Sequence, residues 1–247
     1  MNRLVKAEFF RLKQRLFFLI AVSVLMALIP LAMNIREPER DLLAQLQGSG
    51  VMIMLVMMAF PPITAVVTAS LYGQGKPGFY EFMAGNRTPA IVFSKIFSDG
   101  GLFLLLAVFS CCAHYIRVGL SHGTGGFDHA LIRLLLVIVV LAHMVFCSVL
   151  LALLFRSPGW AGSMSYVRFF IFDSAGLPFL MWLATDVMGN PALGKHFAYM
   201  SVTNQIMILI SEPLDATIVL HVLLGALIEF AFWYLLIDLG IRKRKIA

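Results

Sequence analysis

The sequence predicts an all-α membrane protein, and three observations carry that prediction. Of its 247 residues, 60% are hydrophobic and 13% are charged, against roughly 45–50% and about 25% in a soluble globular domain. The mean hydropathy is +0.90. Nearly charge-free runs of 17 to 22 residues occur six times, and about 20 apolar residues rising 1.5 Å each cross a hydrocarbon core about 30 Å thick. The runs are continuous instead of alternating apolar with polar residues, which argues against an outer-membrane barrel. Helices are then the form that satisfies every backbone group in lipid. The same composition excludes a soluble enzyme, a disordered tail and a disulfide-rich secreted module.

The chain opens on a basic segment in which Val5, Phe9, Leu12 and Leu16 share one helical face, a pattern that lets an amphipathic elbow helix lie in the headgroup layer. The first run, Leu16–Met33, is too long for a signal-peptide core and lacks a small-residue cleavage site before Arg36, so it reads as a retained first span. The second run, Val51–Tyr72, carries Met52, Met54, Met57 and Met58 ahead of Pro61 and Pro62. Mid-span prolines kink a helix, and methionines pack adaptably. Between the second and third runs lies Gly73–Ser98, where a short helix over Phe79–Ala84 is expected to end at Gly85. Thr88 is then expected to cap a new helix with Pro89 at its first position.

The third and fourth runs are Gly100–Ile116 and Leu134–Phe155. Between them His122, Asp128 and His129 sit among glycines, a solvated turn more than a metal site. Cys111, Cys112 and Cys147 lie in these two spans with no disulfide or zinc spacing, so they read as reduced packing residues. The fifth run is Phe169–Thr185. A patch over Phe197–Ile210 follows, too short and too polar to span, and reads as a re-entrant or interfacial helix. The sixth run, Thr217–Ile237, leads into the basic tail Arg242–Lys245.

Basic residues outside the runs fix orientation. With six spans, fourteen lysines and arginines fall on the side of both termini and five on the other. Both termini are therefore expected in the cytoplasm, and the net charge of +6 is a topology charge, not a nucleic-acid footprint.

Ionisable residues inside spans are functional candidates because a charge in the bilayer centre is costly. Glu229 lies near the middle of the sixth span, His143 near the middle of the fourth, and Asp173 toward one end of the fifth with Arg168 as its expected partner. His114 and His221 sit nearer span ends. A Glu229/His143 pair suits proton transfer or cation binding; the structural alternative is a pair satisfied within the bundle. No phosphate-cradling G-x-x-x-x-G-K-[ST] motif is present, since GQGKPG has the wrong spacing. A serine–histidine dyad of Ser163 and His221 has poor flanks, with Ser163 expected in a loop.

The amino-terminal LVKAEFFRLKQRLFF, the loop YEFMAGNRTPAIVFSK and the carboxy-terminal LLIDLGIRKRK together resemble the type-2 permeases of ATP-binding-cassette exporters. The loop holds an acidic residue, a glycine, an arginine and a lysine as Glu81, Gly85, Arg87 and Lys95, but lacks the family's Gly-Thr after the acidic residue. Similarity is greatest to the small permeases of lantibiotic-immunity and peptide-resistance systems. The resemblance implies that Glu81, Phe82, Gly85, Arg87 and Thr88 couple to a separate ATPase subunit, which binds ATP and Mg. It implies a dimer with a second permease copy or a homologous permease. It also implies a translocation path faced by Met54, Met57 and Met58 of the second span and Phe172, Phe179 and Trp182 of the fifth. Phe197–Ile210 looks like the family's outer-face segment between the fifth and sixth spans. The expectation is one permease domain over residues 1–247 of a multi-pass plasma-membrane exporter for peptides or amphiphiles, non-enzymatic, with no cofactor of its own. An ion-coupled carrier using Glu229 and His143 is the alternative.

Overall fold

The computed structural model describes residues 59–70, 87–109, 130–155, 157–211 and 214–246, together with Lys6, Phe10, Lys13, Phe17, Ile20, Ala21, Val24 and Leu28, which are helical. The described residues form helices and no strands. In chain order we number them α1 (Ala59–Ser70), α2 (Thr88–Phe109), α3 (Ala130–Phe155), α4 (Pro158–Val187), α5 (Pro191–Met200), α6 (Val202–Ser211) and α7 (Ala216–Ile246). Four are long and apolar enough to cross a membrane: α2, α3 from Ile132, α4, and α7 as far as Leu239. Of the first predicted span only Phe17, Ile20, Ala21, Val24 and Leu28 are described, and of the second Ala59–Ser70; the Phe79–Ala84 helix falls outside the described residues.

α3 is apolar on all sides and forms the centre of the bundle, as expected of a helix surrounded by others. Leu136, Val137, Val140, Leu141, Met144 and Val145 are all buried, packing against Phe60, Phe103, Phe169, Ile206 and Val222 from five other helices. α7 is the least enclosed long helix. It presents Leu220, Leu224, Leu227, Ile228, Leu235 and Leu239 outward, apolar side chains suited to lipid.

Where α1 meets α3 and α4 the contacts are small residues: Ala65, Ala69, Ala152 and Ala161 pack as one cluster. Small side chains let backbones approach closely, the usual way of gaining helix contact inside a bilayer. Gly162 marks the closest approach, because a Cβ there would lie 2.5 Å from Val66 Cγ2.

Three boundaries differ from the sequence expectation. α2 begins at Thr88 with Arg87, not Thr88, in the N-cap position, and no side chain caps it. Lys95 and Asp99, expected on a helix leading into the third span, are buried within one spanning helix that begins at Thr88. Ser163 lies within α4, not in a loop. α4 itself runs for 30 residues, roughly 45 Å at α-helical rise, so Arg168, expected in the loop before the fifth span, sits well inside a spanning helix.

α4 is not uniform. Residues Val167–Gly176 and Leu183–Val187 form π-helical turns. The first stretch precedes Pro178, whose ring nitrogen cannot donate and whose ring crowds the turn before it; a widened turn relieves both problems. α4 stops at Gly189, where φ is +63°. There the Asn190 N–H returns to the Ala184 carbonyl at 2.8 Å, closing the helix through a left-handed glycine.

Candidate polar site between the long helices

The residue after that stop begins a new helix. Asn190 caps α5 by accepting the Leu193 N–H on Oδ1 at 3.0 Å, and Pro191 occupies the first turn. α5 folds back along α4 because Gly194 has no side chain: a Cβ there would meet Thr185 Oγ1 at 2.2 Å and the Met181 carbonyl at 3.3 Å. The chain turns at Ser201, whose backbone is extended (ψ 119°), and α6 runs the other way. At its far end the Leu209 carbonyl accepts from Arg133 Nη1 at 2.8 Å, a cation placed where the helix dipole favours one. The polar segment predicted as a single helix over Phe197–Ile210 is therefore parts of two helices, α5 and α6, joined at Ser201.

The turn of this hairpin rests on Asp173, near the middle of α4. Asp173 Oδ2 accepts from Ser201 Oγ and from the Thr203 N–H, each at 2.8 Å, and Oδ1 accepts from the Val202 N–H at 3.1 Å. Ser201 Oγ also accepts the Asn204 N–H at 3.2 Å. The free donors at the start of α6 are satisfied by a carboxylate from another helix, where the dipole stabilises negative charge. Asp173 is 2% exposed. Arg168, the partner expected from sequence, faces it at 3.8 Å, and the hairpin adds the closer bonds.

Arg168 turns chiefly to α7. Its Nε donates to Glu229 Oε1 at 2.6 Å, and its Nη2 donates to Glu229 Oε2, the two-pronged match that a guanidinium makes with a carboxylate. Glu229 Oε1 also accepts from Trp233 Nε1 at 3.1 Å, and Oε2 lies 3.0 Å from His143 Nε2 on α3. Because a carboxylate only accepts, His143 carries its proton on Nε2 in this arrangement. The Phe169 ring stands edge-on to the imidazole, 6.2 Å away between centroids.

The π turns explain why one arginine reaches both acids. Hydrogen bonds from i to i+5 stack residues five apart above one another, and Arg168 and Asp173 are five apart within such a stretch. In an α-helix they would diverge by about 140°. The result is a continuous polar chain, from the hairpin through Asp173, Arg168 and Glu229 to His143, joining α6, α4, α7 and α3 in an otherwise apolar bundle.

Of the residues singled out by sequence, the structure brings together Asp173, Glu229 and His143. Phe172, Phe179 and Trp182 lie exposed on α4, the last two with ring centroids 5.8 Å apart. Arg87 is exposed and Thr88 buried at the start of α2. Glu81, Phe82, Gly85, Met54, Met57 and Met58 lie outside the described residues. Sequence reading paired Arg168 with Asp173 but missed its bonds to Glu229, and it missed Trp233 as a member of the site. The available signal was the uninterrupted stretch from Pro158 to Gly189, which places Arg168 inside one helix.

His143, Cys147 and Glu229 place potential metal-ligating atoms within 4.8 Å of one another. Both Glu229 oxygens are already engaged by Arg168, with His143 and Trp233 beside it, so a divalent cation would compete with a fixed guanidinium. The arrangement is suited to hydrogen-bonded charge pairing, not to metal chemistry. Comparison with protein-family models, with curated proteins and with solved structures finds no match for this chain.

Proposed function

We propose that the chain is the membrane-spanning permease subunit of an ATP-driven exporter, six-spanning with both termini in the cytoplasm and an amphipathic elbow helix before its first span. The observation that carries this reading is the α5–α6 hairpin. It sits between the last two long helices, folds back along α4 and ends its turn against Asp173 at mid-helix. The resemblance to type-2 permeases implies a short outer-face helical segment between the fifth and sixth spans, and the hairpin occupies that place in the chain. The long apolar helices support a membrane location.

In this reading a separate ATPase binds ATP and Mg and docks on the loop containing Glu81, Phe82, Gly85, Arg87 and Thr88. A second permease copy completes the path, faced by Met54, Met57, Met58, Phe172, Phe179 and Trp182. The cargo is a peptide or an amphiphile in a bacterial plasma membrane. ATP-driven closure of the motors shifts the coupling loop and tilts α2. The polar chain among α3, α4, α6 and α7 makes those helices respond together. The energetic requirement is modest: the loop must distinguish two states by differential affinity, nothing more.

The deciding experiment is affinity purification of the full chain from its host in mild detergent, followed by mass spectrometry. Stoichiometric recovery of an ATPase, with transport uncoupled from hydrolysis by Glu81→Ala or Arg87→Glu, supports the reading. Recovery of the intact chain without an ATPase, repeated in nanodiscs, overturns it. The contact between His143 and Glu229 favours the second reading, an ion-coupled carrier. That reading requires transport to follow the proton gradient and to vanish in Glu229→Gln without loss of folding.

A further inference from the structure

Beside the hairpin turn, α4 and α6 do not close completely. They leave a cavity of about 290 Å³. Leu177 and Met181 of α4 and Met207 of α6 supply its apolar walls, while Ser174, Thr203 and Asn204 supply a polar edge. Pro178 and Met181, on the wall of the cavity, are exposed, and Asp173 lies at its edge.

The lining chemistry selects the ligand. Among the described residues Asp173 is the one ionisable residue in the wall, and both of its oxygens are held by the hairpin. An anion entering the cavity would meet this carboxylate. A cation would find three acceptor positions of this carboxylate taken by the hairpin and Arg168 already facing it at 3.8 Å. Neutral groups face neither cost. The polar edge both donates and accepts: Ser174 Oγ and Asn204 Nδ2 each spend one donor on a backbone carbonyl, of Phe170 and Ala198 respectively, while hydroxyl and amide groups retain further capacity. Met181 and Met207 adapt to apolar groups of varied shape. A cavity of about 150 Å³ accommodates one benzene, so this one fits a group about twice that size.

We propose that this cavity binds a neutral amphiphile, taking a two-ring aromatic group or a chain of about eight to ten carbons between α4 and α6, with its hydroxyl or amide held by Thr203 and Asn204. As a statement about cargo it rests on the exporter reading; as a statement about binding it stands separately. The site also makes ligand occupancy felt at the hairpin turn, since Thr203 lines the cavity and its own N–H is one of the three donors on Asp173.

The test uses the full chain in phosphatidylcholine nanodiscs with a diazirine-bearing decanol as the probe, and peptide mapping by mass spectrometry. Saturable labelling of the segments holding Met181 and Met207 is expected. Decanol should compete about tenfold more strongly than decanoate or decylammonium. Ala198→Trp, which fills the cavity, should reduce this labelling at least tenfold while labelling of lipid-facing Leu227 and Phe232 stays constant. Thr203→Val keeps the backbone bond to Asp173 and should weaken binding about fivefold, the weight of one hydrogen bond. Labelling that never saturates, equal competition by the charged chains, or wild-type labelling in both variants overturns the proposal. No ATPase enters this assay. Loss of saturable labelling therefore refutes the cavity alone, and failure to recover an ATPase refutes the exporter alone.

Discussion

Replacing Arg168 with methionine should destabilise the protein by about 3 kcal/mol. The side chains of Arg168 and Glu229 are only 18% and 15% exposed, and Arg168 makes two of the four contacts to the Glu229 carboxylate. Arg168→Met leaves that carboxylate with His143 and Trp233 but no fixed cation. Removing one partner of a buried pair costs about 3–5 kcal/mol, and an uncompensated charge at the centre of a spanning helix costs about 2.5–3.5 kcal/mol. The two surviving bonds favour the lower end. Glu229→Gln should cost about half as much, because Arg168 still faces Asp173 at 3.8 Å. The double variant Arg168→Met/Glu229→Leu should return to within about 1 kcal/mol of the original, since apolar replacement of both partners removes the buried charge altogether. Unfolding by SDS in bicelles, followed by helical circular dichroism and by Trp233 fluorescence, measures all three. A double variant no more stable than Arg168→Met, or a single-variant cost below about 1 kcal/mol, would refute the claim that this ion pair organises the bundle.

Other consequences can be measured in the same preparation. Asp173→Asn keeps the shape but removes the charge at the start of α6; it should cost about 1–2 kcal/mol, with amide exchange at Val202 and Thr203 rising first. Gly162→Ala should cost about 1–3 kcal/mol through its collision with Val66, and Val66→Ala should recover most of that loss in a thermal-melt comparison. Asp215, just before α7, accepts the Thr217 N–H at 3.2 Å, and the bonds from Thr217 hold its carboxyl below the usual carboxylate range. A depressed pKa means that this cap is complete above about pH 4 and is lost as pH falls through the lower folded value. The Thr217 amide shift, followed by NMR in micelles, should move below pH 4, and Asp215→Asn should abolish that movement.

Much of the bundle was legible because continuous hydropathy is a strong signal. The runs at Leu134–Phe155 and Thr217–Ile237 match spanning helices to within two residues at each end. The charges were harder to place. Treating a lysine or arginine as the edge of a span put Lys95 and Arg168 outside the spans, yet both lie inside spanning helices, Lys95 fully buried and Arg168 paired with acidic groups. Glu229 and His143 stood out because each interrupts an apolar run. Arg168 did not, because it adjoined the polar stretch around Ser163 and Ser165. The division at Ser201 was hidden for a different reason: the group that caps α6 is Asp173, 28 residues earlier in the chain, and no local pattern announces a cap supplied by another helix.

The widened turns of α4 carry a further consequence. A π turn stores one residue more than an α turn, and that surplus can migrate along a helix without breaking it. Each residue of register is worth about 100° of rotation in the α-helical part. If the surplus left the stretch between Arg168 and Asp173, the two side chains would face different directions while the chain remained helical. α4 thus has the geometry of a rotary clutch.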